Sequence, residues 1–143
     1  MAVRGEEARS LLQRLLDAVA DDLPTDVTVR ITGEGRRCCL EAWRKPQVHK
    51  GVAVPAGEVT IVAAPFGLGP WVPFLPRKTA ARLTAADALE LVQDVVSTAS
   101  GWPWPSITAA VHAEADDCGV RVWLEDSAGR IVPSAGPVSL DAM

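Results

Sequence analysis

The stretch TAADALELVQDVVSTAS, residues 84–100, carries the clearest structural signal in the sequence. Its apolar residues recur at intervals of three and four, which places them on one face of an α-helix. Thr84 and Asp87 have the form of a capping box, and Gly101 follows at a position where glycine commonly ends a helix. We therefore expect a helix with one apolar face, formed by Ala85, Ala88, Leu89, Val92, Val95, Val96 and Ala99, and with Asp87, Glu90, Asp94 and Ser97 largely opposite.

A second amphipathic helix is predicted earlier in the chain, from Glu6 to Leu23. The acidic residues of its first turn suit the positive end of the helix dipole. Pro24 disfavours helical geometry at the preceding residue and therefore ends the helix. Its apolar face consists of Ala8, Leu11, Leu12, Leu15, Leu16 and Val19.

Between the two helices, apolar and polar residues alternate with the period of β-strands. Residues 26–32 and 36–43 form two strands on either side of a tight Gly-Glu-Gly reversal. Residues 44–56 are interpreted as a loop, of which 51–54 could be a short edge strand. The strand 58–64 is apolar on both faces, which is typical of a central strand.

Three more strands are predicted after the helix 84–100, at 107–114, at 120–125 and near Ile131. Ile107 begins the apolar face of the first of them. His112, Glu114 and Arg121 could form a polar cluster on the outer face of the sheet, and ordinary cross-strand pairing accounts for such a cluster.

The element order α-β-β-β-α-β-β-β predicts an α+β fold. We expect a mostly antiparallel sheet of about five to six strands with two amphipathic helices packed on one face. Residues 1–132 form a single domain, and residues 133–143 are a loosely ordered tail. This order is similar to that of small dimeric bacterial chaperones of secretion effectors, a likeness of element order that no motif accompanies.

Length and composition suit one globular domain. The chain has 143 residues, of which 48% are hydrophobic and 22% charged, and domains cluster at about 100–150 residues. The charged N-terminus does not resemble a secretory signal, and no stretch approaches the roughly 18 apolar residues of a membrane span. We expect a cytoplasmic protein. The absence of Tyr and Asn and the excess of Arg over Lys suggest a GC-rich, bacterial genome.

The net charge of −4 conceals an uneven distribution. Residues 1–29 carry a net −3, residues 30–82 a net +6 and residues 83–143 a net −7. A basic centre between acidic flanks can be neutralised within the molecule or by a second copy. We expect a homodimer. The uniform basic field typical of nucleic-acid-binding proteins is absent.

Few residues are available for catalysis or metal binding. Structural zinc sites use paired ligands about two to four residues apart, whereas Cys38 and Cys39 are adjacent. His49 and His112 are the histidines, and no Gly-x-Ser-x-Gly motif accompanies them. The Gly-Leu-Gly at 67–69 lacks the third glycine of a dinucleotide-binding loop. We expect no cofactor, no metal site and no membrane association, and an enzyme is disfavoured.

Two proline-rich segments hold most of the large aromatic residues. Residues 65–76, PFGLGPWVPFLP, exclude a regular element, and residues 101–105 read GWPWP. Aromatic rings are enriched at binding surfaces because they offer a large contact area at low entropic cost. The alternative is that both loops simply cover the open end of the core. We expect binding residues at Phe66, Trp71, Phe74, Trp102 and Trp104, with Arg44 and Lys45 as charges at the rim.

These residues favour a non-enzymatic binding module, chaperone- or adaptor-like, that holds a protein or peptide segment against the Trp/Pro-rich loops. One alternative is a small-ligand-binding protein or enzyme with a pocket between sheet and loops, in which His112 or His49 is the acid–base group. Another is nucleic-acid binding by the basic segment 30–82, with Trp43 stacking on a base.

Overall fold

The computed structural model describes residues 5–32, 39–44, 47–49, 52–54, 58–62 and 76–141. The α+β class, the two helices and the antiparallel pairing expected from the sequence are confirmed. The helices are α1 (Gly5–Val19), which a short 3₁₀ helix (Ala20–Asp22) continues, and α2 (Arg77–Ser100). The strands are β1 (Val27–Thr32), β2 (Cys39–Arg44), β3 (Gln47–His49), β4 (Val52–Val54), β5 (Glu58–Val62), β6 (Ala110–Asp116), β7 (Gly119–Glu125), β8 (Ile131–Val132) and β9 (Val138–Asp141).

The described strands form three antiparallel sheets. β2 lies between β1 and β5, β3 pairs with β4, and β7 pairs with β6, β8 and β9. The prediction of one sheet with five to six strands is therefore not matched in the number of strands or in the element order α-β-β-β-α-β-β-β. β5 lies at the end of the described order β1-β2-β5, where its neighbour is β2, whereas its sequence is typical of a central strand. β3 lies in the stretch 44–56, which is interpreted as a loop from the sequence, and β4 agrees with the alternative of a short strand at 51–54.

Helix α2 forms the centre of the core. It packs against strands of both larger sheets and against α1, which also contacts β1. This arrangement corrects the prediction that both helices lie on one face of a single sheet. None of the helices in the described ranges combines the length and apolarity that a membrane crossing requires. The predicted apolar face of α2 is buried throughout, and it meets the buried residues Leu11, Leu12, Leu15, Leu16, Val19, Leu40, Ala42, Val120, Val122 and Leu124.

The N-terminus of α2 lies earlier in the chain than predicted. The helix begins at Arg77, directly after Pro76, whose φ is −54°, and proline lacks the N–H that a helix start would leave unpaired. The predicted capping box is wrong, because Thr84 lies inside the helix and its Oγ1 donates a hydrogen bond to the carbonyl oxygen of Ala80. Gly101 ends the helix as predicted, with a left-handed φ of 74° that favours glycine.

An ion pair joins the first turns of α2 to the turn between β6 and β7. Lys78 Nζ contacts Asp117 Oδ1. The hydrogen bond and the positive charge of Lys78 lower the pKa of Asp117, and the same contact raises the pKa of Lys78. Both side chains are exposed, and exposed pairs contribute little to stability.

Strands β6 and β7 show the predicted alternation: β6 alternates between half-buried and exposed residues, and β7 between buried and more exposed ones. On the exposed face, Arg121 Nη2 lies 2.9 Å from Glu114 Oε2, and these two residues are directly opposite in register. β6 begins at Ala110 and not at Ile107, because the Ala109 N–H donates to Ser106 O and closes a turn before the strand.

The tail after residue 133 contributes a strand, in contrast to the expected loose ordering. β9 pairs with β7 and places Leu140 opposite Val120, and Leu140 is 4% exposed. Arg14 Nη2 donates a hydrogen bond to the carbonyl oxygen of Ser139, so that α1 also holds this strand. The sequence signal was a short alternation flanked by proline and glycine, which resembles loop composition.

We expect Leu140→Ala to lower the free energy of unfolding by about 2–4 kcal/mol, because it leaves a cavity beside β7. The matched control is Ser139→Ala, whose exposed side chain should change stability by less than about 0.5 kcal/mol. Urea unfolding followed by circular dichroism measures both variants. Equally small effects would contradict the packing of β9.

Candidate functional site

The segment between α2 and β6, residues 101–109, is held in place by Trp104. The Trp104 side chain is 6% exposed and belongs to the core. Its Nε1 donates a hydrogen bond to the carbonyl oxygen of Asp22 at 3.1 Å, and its backbone N–H donates to Ser97 Oγ at 2.9 Å. Residues 101–109 are called the linker below. Trp104 therefore fixes the linker against the 3₁₀ helix that follows α1 and against the last turns of α2.

Asp22 connects the linker to the C-terminal part of the chain as well. One of its carboxylate oxygens, Oδ2, accepts hydrogen bonds from the N–H of Ser134 at 3.0 Å and from Ser134 Oγ at 3.3 Å. Three segments that are distant in sequence thus meet at one residue, which limits the freedom of the linker to move relative to the core.

Trp102 and Trp104 have opposite environments. Trp102 is 71% exposed, so the expectation of an accessible ring agrees with its position. The same expectation is wrong for Trp104, because its apolar ring packs in the core and its N–H has a main-chain partner. A sequence of alternating Trp and Pro does not indicate which indole finds such a partner.

A groove lies between the linker and the C-terminal half of α2. Its volume is about 540 Å³, and it is open to solvent. One wall is formed by Gln93, Asp94, Ser97 and Thr98 of α2, and the other by the linker. Ile107, which is 77% exposed, lines the groove together with Trp102. The apolar lining residues are Trp102, Pro103, Trp104, Ile107 and Ala109.

Most polar side chains of the groove bond to the protein itself. Gln93 Nε2 donates to Ala109 O, Thr98 Oγ1 donates to Asp94 O, and Ser106 Oγ donates to Asp126 Oδ2. The Asp94 carboxylate is exposed and supplies the charge among the described lining residues. The groove therefore offers a partner an apolar surface beside one carboxylate.

The other residues expected at a binding surface are not brought to this groove. Arg44 lies at the end of β2, opposite Val27, and is half-buried. Phe66, Trp71, Phe74 and Lys45 lie outside the described residues. The sequence did not identify Ile107 as a surface residue, because its alternation with Ala109 and Val111 indicates a buried strand face. In the structure, residues 106–109 form a turn, and the Ile107 side chain is exposed.

The exposed faces of the larger sheets carry aromatic and charged pairs. Arg30 forms a salt bridge of 2.7 Å with Glu41, and its guanidinium carbon lies 4.9 Å from the centroid of the Trp43 ring. His112 stacks on Trp123 with ring centroids 5.7 Å apart. His112 thus lies on a sheet face and not in the groove, while the His49 side chain is outside the described part. Within the described ranges, no three His, Cys, Asp or Glu residues group as metal ligands.

The two tryptophans should respond differently to substitution. Trp104→Ala is expected to lower the free energy of unfolding by about 3–5 kcal/mol, because it empties part of the core. Trp104→Phe keeps most of the ring but leaves Asp22 O without its donor, at a cost of about 1–3 kcal/mol. Trp102→Ala should stay within about 0.5 kcal/mol. Urea unfolding compares the three variants, and equal losses for Trp102→Ala and Trp104→Ala would contradict the described packing.

No family model, no curated protein and no solved structure matches this chain. The function of the groove is therefore inferred from its own geometry and chemistry.

Proposed function

We propose that the chain is a cytoplasmic, non-enzymatic binding module that holds a protein or peptide segment in the groove between α2 and the linker. The observation that carries this proposal is the joint exposure of Trp102 and Ile107 at one groove. Among the described residues, Trp102 and Ile107 are the large hydrophobic residues whose side chains are exposed. Exposed apolar clusters of this kind mark interaction sites in soluble proteins.

The free energy gained by covering Trp102 and Ile107 suits a reversible interaction. Covering a tryptophan can remove about 150–250 Å² of surface from water, which corresponds to about 4–6 kcal/mol at 25 cal/mol per Å². Ile107 adds a further contribution of about 2 kcal/mol. The loss of translational and rotational freedom offsets part of this gain. A partner that covers both residues therefore reaches micromolar affinity, about −8 kcal/mol, only with additional contacts.

The linker is already fixed before a partner binds. Trp104 holds it to Asp22 and Ser97, and Gln93 holds its end at Ala109. A surface that does not need to become ordered on binding avoids an entropic cost. This rigidity supports a docking site in which Trp102 provides the main contact, as aromatic residues commonly do at interfaces.

The dimensions of the groove favour a short segment. A volume of about 540 Å³ falls in the range of sites that hold a few side chains or one small molecule. A chaperone- or adaptor-like role fits such a site. A second copy of the chain is a further partner, since homodimerisation would bring oppositely charged regions together. A small apolar ligand is the second candidate function, which the volume of the groove also favours.

Selection of random peptides displayed on phage against the immobilised full chain tests this proposal. Selected peptides are expected to bind the wild type with micromolar Kd and Trp102→Ala about tenfold or more weakly, because loss of an interface hot spot costs about 2 kcal/mol. Fluorescence anisotropy with labelled peptides measures both constants. The thermal midpoint of Trp102→Ala should match that of the wild type.

The matched control is Trp123→Ala, which removes a tryptophan from the exposed face of β7 and should leave the Kd unchanged. Peptides that bind independently of Trp102, or that lose affinity only with Trp123→Ala, would contradict the groove as the binding site. Sedimentation velocity of the wild type and Trp102→Ala distinguishes a second copy: a dimer that dissociates on Trp102→Ala substitution makes self-association the function of the groove.

A further inference from the structure

Acidic side chains form a stripe on α2 that leads into the groove. Asp87, Glu90 and Asp94 are exposed and recur at intervals of three and four residues, so they share the solvent face of the helix. Asp94 also lines the groove. At a rise of 1.5 Å per residue, Glu90 and Asp94 lie about 6 Å apart along the helix axis, and Asp87 and Asp94 about 10 Å.

The acidic stripe lacks salt bridges within the described ranges. None of its three carboxylates forms a salt bridge with a cation there, whereas Glu41, Glu114 and Asp117 each have one. Like charges four residues apart, such as Glu90 and Asp94, slightly destabilise a helix. The stripe therefore supplies a negative field beside an exposed apolar rim.

We infer that the occupant of the groove is a cationic peptide segment in an extended conformation. Its apolar side chain lies between Trp102 and Ile107, and its Lys or Arg side chains lie along the acidic stripe. Charge complementarity of this kind gives an interface its selectivity and its register. The inference rests on the proposed function and adds the chemistry of the partner to it.

The spacing of the acidic stripe sets the spacing of the cations. An extended chain advances about 3.3 Å per residue, so two residues span about 6.6 Å and three span about 10 Å. These lengths correspond to the separations of Glu90 and Asp87 from Asp94. Selected peptides should therefore carry basic residues two or three positions apart, beside an apolar residue that occupies the groove.

The same field disfavours anionic partners. A phosphate group in the groove would lie beside the Asp94 carboxylate, and juxtaposed like charges are strongly unfavourable at an interface.

A second copy of this chain is the competing occupant, because residues 30–82 carry a net charge of +6.

The experiment uses the same displayed peptide library and the full chain with Glu90→Gln and Asp94→Asn combined. We expect Trp102-dependent peptides from the wild-type selection to be enriched in Lys and Arg. Their affinity for the double variant should fall about two- to twenty-five-fold, since each exposed charge pair contributes about 1.5- to 5-fold. Binding to the wild type should also weaken as NaCl is raised, because salt screens exposed charges.

The matched control is Glu114→Gln combined with Asp117→Asn, which removes the same amount of charge from the β6–β7 hairpin and should change the Kd less than about twofold. One outcome overturns this inference and leaves the proposed function standing: the selected peptides need Trp102, but they are not enriched in Lys and Arg and bind the double variant with unchanged Kd. A library without Trp102-dependent peptides overturns the proposed function itself. A dimer of the wild type that the double variant abolishes identifies a second copy as the occupant and also overturns the inference.

Discussion

The buried indole of Trp104, hydrogen-bonded through Nε1 to the carbonyl oxygen of Asp22, is the contact on which the geometry of the groove depends. It fixes residues that follow α2 to residues that follow α1, across most of the chain's length in sequence. Because the donor has a partner and the ring has apolar neighbours, the indole can remain buried without the cost of an unpaired N–H. With Trp104 held inside, the rest of the linker runs over the surface, and Trp102 and Ile107 project from it.

The groove also depends on a helix that packs against two sheets. α2 runs from Arg77 to Ser100, about 36 Å at 1.5 Å per residue, and packs against strands of both larger sheets. Its buried face is made mainly of Ala, Val and Leu. The opposite face, with Asp94, is left to solvent. The groove forms where that solvent face meets the linker, so the same helix organises the core and one wall of the site.

The sequence predicted those parts of the fold in which a regular period extends over several turns or strand residues. The apolar face of α2, the face of α1 and the alternation of β7 follow directly from such periods. Short or irregular parts were not predictable. β9 alternates over too few residues to be distinguished from a loop, and Thr84 mimicked a helix start inside a helix. For the site, composition identified Trp102, but burial of Trp104 depends on a main-chain oxygen that is 82 residues away.

The exposure of Trp102 and Ile107 is not something that the fold itself requires. Neither side chain belongs to the buried cluster that holds α1, α2 and the strands together. The conformation of the linker is fixed by Trp104, Ser97 and the glycine at 101, so polar residues at 102 and 107 would satisfy the same backbone. Large apolar side chains in water raise the tendency to associate and bring no compensating packing. Their presence at the rim of one groove, beside the carboxylate of Asp94, therefore supports the proposal of a partner that covers them.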